Sequence, residues 1–452
     1  MLLLVKTRPS RLLHLLFVLM KSGRAALKYE LSLCVSLDAT LLPYNDAVLS
    51  YVKSEARQGR EVWLVTASPQ HYADSIATHL KCFSGTMASS RRQNLKGDKK
   101  AQHLLAKFGF KGFDYIGDSN SDIAVWGKAK KSFVVSNSRR LWKRVTAVNS
   151  EVTKIETSRP GLVFFLRAIR IQQWPKNLLL LVAFAGAHGL GNGATYTALG
   201  LAFVAFCFGA SGIYIVNDLL DLQADRNHPW KKTRPFAAGN LSIEFGVGAA
   251  LLLIALAFST AFFLPLLFIA CLAIYVILAA TYSLWLKRVV VLDVFVLTAL
   301  YLIRVVAGAF AVNVAVSYWL LAFSLFLFLS LASLKRFSEL TLTPDALGIP
   351  DRGYRSEDRQ IVGTLGAASG YIAALVLALY FSSGDAVVLY SQPIFLWLAL
   401  PALLYWISRL WLLAGRGEQL DDPVAFALHD VVSYVVGALI LGATLLAALL
   451  PP

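Results

Sequence analysis

Charged residues are scarce in this sequence: Asp, Glu, Lys and Arg make up 15% of its 452 residues, whereas 57% are hydrophobic. A shortage of that size excludes a chain that is soluble throughout its length. Most of the charged residues lie within 1–160, while residues 178–450 form a succession of apolar runs separated by short polar loops. We therefore predict a soluble domain at 1–150, a linker at 151–162 and a membrane domain at 163–452.

Cysteine is also rare. The four cysteines lack the spacing of metal ligands and fall in unrelated segments, which argues against a zinc site or a disulfide framework. A secretory signal is missing as well, because no small-residue cleavage site follows the apolar stretch RLLHLLFVLM. The net charge of +16 in so apolar a chain is typical of cytoplasmic loops facing anionic lipid, and we expect no nucleic-acid partner.

Long apolar runs predict the membrane topology. About 20 apolar residues cross a bilayer, and on this criterion nine spans are predicted at 178–191, 196–216, 243–263, 265–285, 289–311, 317–334, 362–382, 392–413 and 429–450. Charged connections at 217–242, 286–288, 335–361 and 414–428 alternate with connections that carry little or no charge. By the positive-inside rule, we expect a multi-pass protein of the inner (plasma) membrane, with its N-terminal domain in the cytoplasm and its C-terminus outside.

The loop after the second span carries the strongest chemical pattern, NDLLDLQADRNHPWKKTRP at residues 217–235. Three carboxylates recur at i, i+3 and i+7, on one face of a helix: Asp218, Asp221 and Asp225. Such carboxylates repel unless a cation lies among them, and all-oxygen ligands suit Mg²⁺. Lys231, Lys232 and Arg234 supply the donors that phosphate oxygens need. This predicts a site for Mg²⁺ and a diphosphate at the cytoplasmic face; the alternative is a solvated polar loop.

NDLLDLQAD matches the NDxxDxxxD motif of the UbiA superfamily of intramembrane prenyltransferases, and the resemblance covers residues 163–450. It implies an all-α bundle of about nine helices around a lipid-accessible cavity, with the three aspartates as catalytic metal ligands and Asn217 in substrate binding. Further segments resemble the branch containing decaprenyl-phosphate phosphoribosyltransferase: QQWPKN, HPWKKTRP, YSLWLKR and SLKRFSEL. In that branch the donor is phosphoribosyl pyrophosphate and the acceptor is a polyprenyl phosphate of the membrane.

One segment departs from the family members that prenylate aromatic rings. Those members usually carry a second aspartate-rich motif after the sixth span, where this chain reads KRFSEL. Lys335 and Arg336 in that place suit a site that holds a second phosphorylated substrate. The alternative for Lys335 is an ion pair with Glu339, four residues further on, which would only mark the inside face.

Two charged residues fall inside the fifth span. Asp293 lies near its cytoplasmic end, and Arg304 lies about 16 Å further along the same face. A charge at that depth is expected to face the cavity. Arg304 either helps to anchor a phosphate or pairs with an acidic group.

Other candidate substrate-binding residues lie at helix ends. By the family resemblance, Tyr282 and Lys287 at the end of the fourth span contact the donor. Lys176 and Asn177 enter the first span and are placed to reach the same site. Their alternative role is an interfacial anchor made by Lys176 with Trp174.

The resemblance implies transfer at the anomeric carbon of ribose. Mg²⁺ neutralises the leaving diphosphate, and the lipid phosphate attacks with its own anionic oxygen, so no protein base is needed. The main alternative is ordinary UbiA chemistry, in which the aspartates bind a prenyl diphosphate and an aromatic ring is alkylated. A transporter is a third alternative, but we find no internal repeat and the carboxylates lie at the interface.

The soluble domain alternates helical and strand patterns. Residues 46–69 and 100–126 each read as a helix followed by a strand and a polar turn, which predicts an α/β domain with a parallel sheet and ligands at the strand ends. Candidate ligands there are Thr66, Asp118, Asp122 and either Lys96 or Lys100. Their order resembles motifs two to four of haloacid dehalogenase-type (HAD) phosphatases, which implies a Rossmann-type HAD-like fold with Lys100 as the favoured lysine.

The first HAD motif is not intact. These enzymes need a nucleophilic aspartate two residues before a second acidic residue, and in SLDATL the nucleophile's place is held by Ser36, ahead of Asp38. Either the motif has decayed, or it is missing, residues 1–45 are cap helices and Met1 is an internal methionine; we favour the second. In both cases the domain is expected to be inactive, with Thr66 and its companions as remnants of a site.

Overall fold

The structure is a computed structural model that describes residues 11–35, 37–155, 161–187, 192–342, 352–418, 420 and 422–451. The chain divides into two compact units. The N-terminal unit comprises Met1–Phe165 and Leu220–Ser242, and the membrane unit comprises Leu166–Leu219 and Ile243–Pro452. Most of the aspartate-rich loop therefore groups with the N-terminal unit.

Helices and short strands alternate along the first part of the chain. The helices are α1 (Arg11–Cys34), α2 (Asp46–Arg57), α3 (Gln70–Leu80), α4 (Asp98–Phe108), α5 (Ile123–Trp126), α6 (Arg139–Thr146) and α7 (Leu162–Ala168), and the strands are β1 (Trp63–Pro69), β2 (Gly85–Ser89), β3 (Tyr115–Gly117), β4 (Ser132–Val134) and β5 (Val152–Lys154). All strand pairs are parallel. This confirms the predicted order and parallel pairing, but the strands form two sheets, β1-β2 and β3-β4-β5, instead of one.

One apolar cluster holds α4, α5 and the second sheet together. Its buried members include Ala101, Leu104, Tyr115 and Trp126. The i, i+3 spacing of Ala101 and Leu104 places both on one face of α4. Lys100 is buried next to them, so the packing of α4 carries a charged side chain into the interior of the unit.

Two glycines with positive φ mark bends in the N-terminal unit. α1 was predicted to be helical and is so, with a break at Gly23. Gly239, in the loop after the aspartates, has φ +75°, and a Cβ there would lie 3.0 Å from the Pro43 side chain. The close approach to Pro43 would crowd a larger side chain, and the positive φ favours glycine as well.

The membrane unit is built from long apolar helices. The remaining helices are α8 (Val182–Gly186), α9 (Gly193–Leu220), α10 (Leu222–Asn227), α11 (Ile243–Ala261), α12 (Leu266–Leu284), α13 (Leu292–Ala311), α14 (Tyr318–Leu342), α15 (Arg359–Phe381), α16 (Gly384–Leu389), α17 (Ala399–Gly415), α18 (Pro423–Ala427) and α19 (Val431–Leu449). Among the described residues, eight helical segments are long and apolar enough to cross a membrane: α9, α11–α15, α17 and α19. Eight of the nine predicted spans are thereby confirmed. Large apolar side chains such as Leu251 of α11 and Leu441 of α19 are exposed on them, as expected of an integral membrane protein.

The first predicted span, 178–191, differs. A 3-10 segment, Ile171–Leu181, leads into the short helix α8, and residues 188–191 lie outside the described part. Pro175 lacks the N–H that an α-helix would use there. The 3-10 segment packs tightly on α13, because a Cβ on Gly308 would lie 1.8 Å from the carbonyl oxygen of Leu180. This contact fixes the position of Lys176 and Asn177.

Candidate active site

Asp218 lies in the last turn of α9 and is 2% exposed. Its carboxylate accepts a hydrogen bond from the Arg170 guanidinium at 2.5 Å. Arg170 has a left-handed backbone, φ +52°, and its guanidinium lies 5.0 Å from the ring centroid of Tyr214. Strained backbone of this kind is common at functional sites. Asn217, which precedes Asp218, is half-buried.

Asp221 and Asp225 belong to the N-terminal unit. The predicted single helix face is interrupted, because α9 ends at Leu220 and Asp221 is the N-terminal cap of α10; aspartate favours such caps. Asp225 is 4% exposed and accepts a hydrogen bond from Arg234 at 2.7 Å. A predicted metal ligand thus contacts a predicted phosphate ligand. Lys231, also predicted to bind phosphate, lies exposed in the next turn.

These carboxylates fit Mg²⁺ by their chemistry, since they offer hard oxygen ligands. Within the described ranges, no three His, Cys, Asp or Glu side chains are gathered closely enough to hold a metal ion. Asp218 and Asp225 are each held by an arginine instead. A metal at the three aspartates stays a prediction.

Lys176 and Lys335, which we call the lysine pair, share one acidic neighbour. The Lys176 ammonium forms an ion pair with Asp422, and the two side chains are 10% and 16% exposed. Lys335, on α14, is half-buried and makes no hydrogen bond or ion pair with any residue that the structure describes. Burial alone would raise the pKa of Asp422, but the charges of Lys176 and Lys335 lower it below its usual value.

Arg304 is buried and its guanidinium is fully engaged by neutral groups. It donates to the Asn177 side-chain oxygen at 2.9 Å, to the Tyr275 hydroxyl at 2.9 Å and to the Leu300 carbonyl. Two predicted substrate-binding residues, Arg304 and Asn177, are therefore in direct contact, while the role of Arg304 in anchoring a phosphate stays a prediction. The predicted alternative for Arg304 was an ion pair with an acidic group. Arg304 forms no such pair with Asp293, which contacts Arg336 instead.

Arg336 is buried completely and holds three elements together. It donates to Asp293 of α13 at 2.5 Å, to Glu339 at 2.5 Å and to the Tyr282 hydroxyl of α12 at 2.8 Å. Glu339 therefore pairs with Arg336, and the predicted alternative pair of Glu339 with Lys335 is not formed. Each of the three nitrogens of the guanidinium that was predicted to bind substrate donates a hydrogen bond within the protein.

Two residues after the sixth span complete this network. The Tyr354 hydroxyl donates to Asp293 at 2.5 Å and accepts from the Val291 backbone at 2.9 Å. Arg352 donates to the Tyr282 hydroxyl at 3.2 Å and lies 3.7 Å from both Asp293 and Glu339. Because Tyr282 accepts from two arginines, it is part of this network. Lys287, the other residue predicted at that helix end, is buried in the turn that follows α12.

The N-terminal unit contains a compact charged cluster. The Lys100 ammonium donates to Asp122 at 2.9 Å and to the Tyr115 hydroxyl at 2.8 Å. Burial alone would raise the pKa of Asp122, but Lys100 lowers it below its usual value. Burial and the charge of Asp122 raise the pKa of Asp118, which directly follows β3. The predicted Lys100, Asp118 and Asp122 are thus brought together.

Thr66 and Asp38, two other residues of the predicted phosphatase-like site, accept hydrogen bonds from residues two positions further along the chain. Thr66 lies within β1 and its hydroxyl accepts from the Ser68 backbone at 3.1 Å. Asp38 accepts from the backbone and hydroxyl of Thr40 at 2.9 and 2.6 Å, so it caps a turn. Ser36, the residue in the nucleophile's place, lies outside the described residues.

Sequence reasoning missed four residues of the membrane unit: Arg170, Asp422, Arg352 and Tyr354. Arg170 stands two residues before QQWPKN, and Asp422 lies in a charged loop that the topology already put on the cytoplasmic side. Those two positions could have been found as charges next to predicted functional segments. Arg352 and Tyr354 carried no such signal, because their partners lie on other helices.

Known proteins resemble this chain over most of its length. The UbiA prenyltransferase family matches residues 178–449. "Uncharacterized protein y4nM" of Sinorhizobium fredii is 36% identical over 94% of this chain and 83% of that protein. Decaprenyl-phosphate phosphoribosyltransferase of Mycolicibacterium smegmatis is 30% identical over 60% of this chain and 88% of that protein. A structure of a UbiA homolog from Archaeoglobus fulgidus bound to DMAPP and Mg²⁺ covers 62% of this chain and 98% of that chain, with 17% identity and a TM-score of 0.49. The family match, which covers more than half of the sequence, shows that this chain belongs to the UbiA prenyltransferase family, as a membrane-embedded transferase.

Proposed function

We propose that the enzyme transfers 5-phosphoribose from phosphoribosyl pyrophosphate to a polyprenyl phosphate. An oxygen of the lipid phosphate forms a bond to C1 of the ribose, the bond between C1 and the diphosphate oxygen breaks, and its electron pair leaves with the diphosphate. The lipid phosphate is already anionic, so no side chain has to remove a proton. The similarity to a decaprenyl-phosphate phosphoribosyltransferase over 60% of the chain supports this choice of substrates.

The positive charge of the lysine pair is the observation that favours this reaction most. Among the described residues, Asp422 is the carboxylate near both lysines, and Glu339, which is also near Lys335, is paired with Arg336. The proposed donor and acceptor each carry a phosphate monoester, which has about 1.5 to 2 negative charges at pH 7. A prenyl diphosphate and an aromatic ring bring no such group. In phosphoribosyl transfer a substrate phosphate monoester can therefore pair with Lys335, and ordinary prenyl transfer supplies no such group.

The aspartate-rich motif is assigned to the leaving group. Asp218, Asp221 and Asp225 would hold Mg²⁺, which when bound supplies positive charge to the leaving diphosphate. Lys231 and Arg234 have the donors to bind diphosphate oxygens. Arg170 holds the Asp218 side chain, and a buried carboxylate fixed in this way needs little reorganisation to act.

We infer from the charged loops that this site faces the cytoplasm. We assign the N-terminal unit to the cytoplasmic side of the inner membrane and the C-terminus to the outside, by the positive-inside rule. For the N-terminal unit we propose an HAD-like fold without competent chemistry. Its parallel strands and the placing of Asp118 directly after β3 support the fold, and Ser36 in the nucleophile's place supports the loss of chemistry.

The choice of donor is tested with membranes that contain the full-length protein. Labelled phosphoribosyl pyrophosphate and a polyprenyl phosphate should give a labelled lipid, whereas labelled prenyl diphosphate with an aromatic acceptor should give none. Asp218→Ala should lower the rate by about a hundredfold or more, because charge stabilisation by a bound metal is worth several kcal/mol.

Asp385→Ala is the matched control, since Asp385 is an exposed aspartate whose carboxylate accepts from Trp319 at 3.0 Å. It should keep the wild-type rate. Intact phosphoribosyl transfer in Asp218→Ala, or labelling from the prenyl diphosphate alone, would refute the proposed function.

A further inference from the structure

We propose that the Asp422 carboxylate occupies the place of a substrate phosphate monoester between Lys176 and Lys335, and that the substrate displaces it on binding. The chemical identity of that substrate rests on the proposed function, in which both donor and acceptor carry such a group. Asp422 is then a positioning residue. It holds the lysine pair in the substrate-free enzyme and competes with the ligand for it.

The charges around Asp422 do not balance. Lys176 and Asp422 form an ion pair with both side chains mostly buried. Lys335 adds a second ammonium that has no hydrogen bond or ion pair with a described residue. Buried charge is costly unless it is paired. Glu339, the other described carboxylate near Lys335, is engaged by Arg336, so within the described residues Asp422 alone offers half the negative charge that two ammoniums require. A phosphate monoester, with about 1.5 to 2 negative charges, matches both.

The segment that bears Asp422 is attached to α14 on the face of Lys335. The Leu420 backbone N–H donates to the Ser338 hydroxyl at 3.0 Å, and that hydroxyl donates to the Glu418 carbonyl at 3.2 Å. Ser338 follows Lys335 by three residues, so both lie on one side of the helix. The backbone around Asp422 is thus held beside the lysine pair, whereas its side chain is attached chiefly through the ions it pairs with.

A second aspartate of the same region shows what a firmly held carboxylate looks like. Asp430 caps α19 by accepting from the backbone and hydroxyl of Ser433 at 2.8 and 2.7 Å, and both its oxygens accept from Arg409, at 2.8 and 3.0 Å. Asp422 caps α18 through one long bond, from the Ala425 N–H at 3.3 Å. An anion that outcompetes the Lys176 contact can therefore displace the Asp422 side chain with little other loss.

Inorganic phosphate tests this displacement without any turnover. The purified full-length protein is titrated with phosphate, and the concentration that gives half of the thermal stabilisation is measured. Asp422→Asn removes the competing charge and should lower that concentration about three- to tenfold, because the lysine pair then has no internal anion. Asparagine caps helices as well as aspartate does; if this variant is poorly expressed, Asp422→Ser, also a good cap, replaces it.

Asp430→Asn is the matched control and should leave the phosphate titration as it is in the wild type. An unchanged or raised half-stabilising concentration in the Asp422 variant overturns the proposal, since it would mean that Asp422 only supports the fold or the ligand. Failure of phosphoribosyl transfer would not affect this experiment, so the two proposals fail separately.

Steady-state kinetics then identify which phosphate binds. The KM values for phosphoribosyl pyrophosphate and for the polyprenyl phosphate are measured separately in Asp422→Asn. A fall of about three- to tenfold in one of them supports the proposal and assigns the lysine pair to that substrate. If neither KM falls in an active variant, the proposal is wrong.

Discussion

Lys335 and Arg336 are neighbours on α14 and have opposite surroundings. Arg336 is fully buried and donates to Asp293, Glu339 and Tyr282. Lys335 is half-buried and makes no hydrogen bond or ion pair with the residues that the structure covers. Successive residues of a helix point about 100° apart, so adjacent cations enter different regions of the membrane unit.

The difference separates two uses of buried positive charge. In the Arg336 network, the cations Arg336 and Arg352 face the carboxylates Asp293 and Glu339, so that charge is balanced within the protein. At the lysine pair, counted over the residues that the structure describes, the positive charge exceeds the negative. A balanced network stabilises the fold, whereas an excess of positive charge is expected where an anionic substrate binds.

Loss of Arg336 should have the largest effect on stability. Arg336→Met leaves Asp293 buried without its closest cation, and breaking a buried pair in this way costs about 3–5 kcal/mol. The variant should show a strongly lowered thermal midpoint in detergent and a lowered yield in membranes. Arg409→Met is the control, because its ion pair with Asp430 is more exposed and should cost less. A stable Arg336→Met protein that has only a raised KM would contradict the comparison and restore Arg336 as a substrate ligand.

Disrupting the cluster of Lys100, Tyr115 and Asp122 should have a smaller effect on stability, confined to the N-terminal unit. Lys100→Met removes the partner that lowers the pKa of Asp122. A lowered pKa stabilises the fold above the usual pKa of aspartate, and this contribution is lost as the pH falls through the folded-state pKa. Amide exchange within 98–122 should therefore be faster than in the wild type at neutral pH, with a difference that shrinks in acid. The rate of transfer should stay unchanged; a large loss of transfer would show that the cluster serves the membrane site.

Much of the fold could be predicted from local sequence patterns. Eight spans were found because each is a long apolar run, and the α/β order was found because helix and strand periods alternate. The first span stays a prediction: its described part continues the 3-10 segment Ile171–Leu181 into the short helix α8, a change of helix type that its apolar composition did not indicate. The two-sheet arrangement was also not predicted, because strand pairing depends on contacts between distant segments.

The candidate site was predictable where one short segment contains its residues. NDLLDLQAD and KRFSEL marked the aspartates, Lys335 and Arg336, but neither segment indicates which cation has a partner. Asp422 and Lys176 lie far apart in the sequence of the membrane unit, yet their side chains form an ion pair. Tyr354 likewise contacts Asp293 from a different loop. Such pairs are set by tertiary packing, so the distinction between Lys335 and Arg336 needed the structure.

The most direct test of the account is the KM of Lys335→Met. Loss of one charge-assisted contact to phosphate is worth about 1.5–3 kcal/mol, which corresponds to a rise of about tenfold to a hundredfold in the KM of one phosphate-monoester substrate. The thermal midpoint should equal that of the wild type, and Lys335→Arg should recover most of the affinity. A wild-type KM for both substrates, or a loss of stability like that expected for Arg336→Met, would contradict the claim that Lys335 binds substrate phosphate.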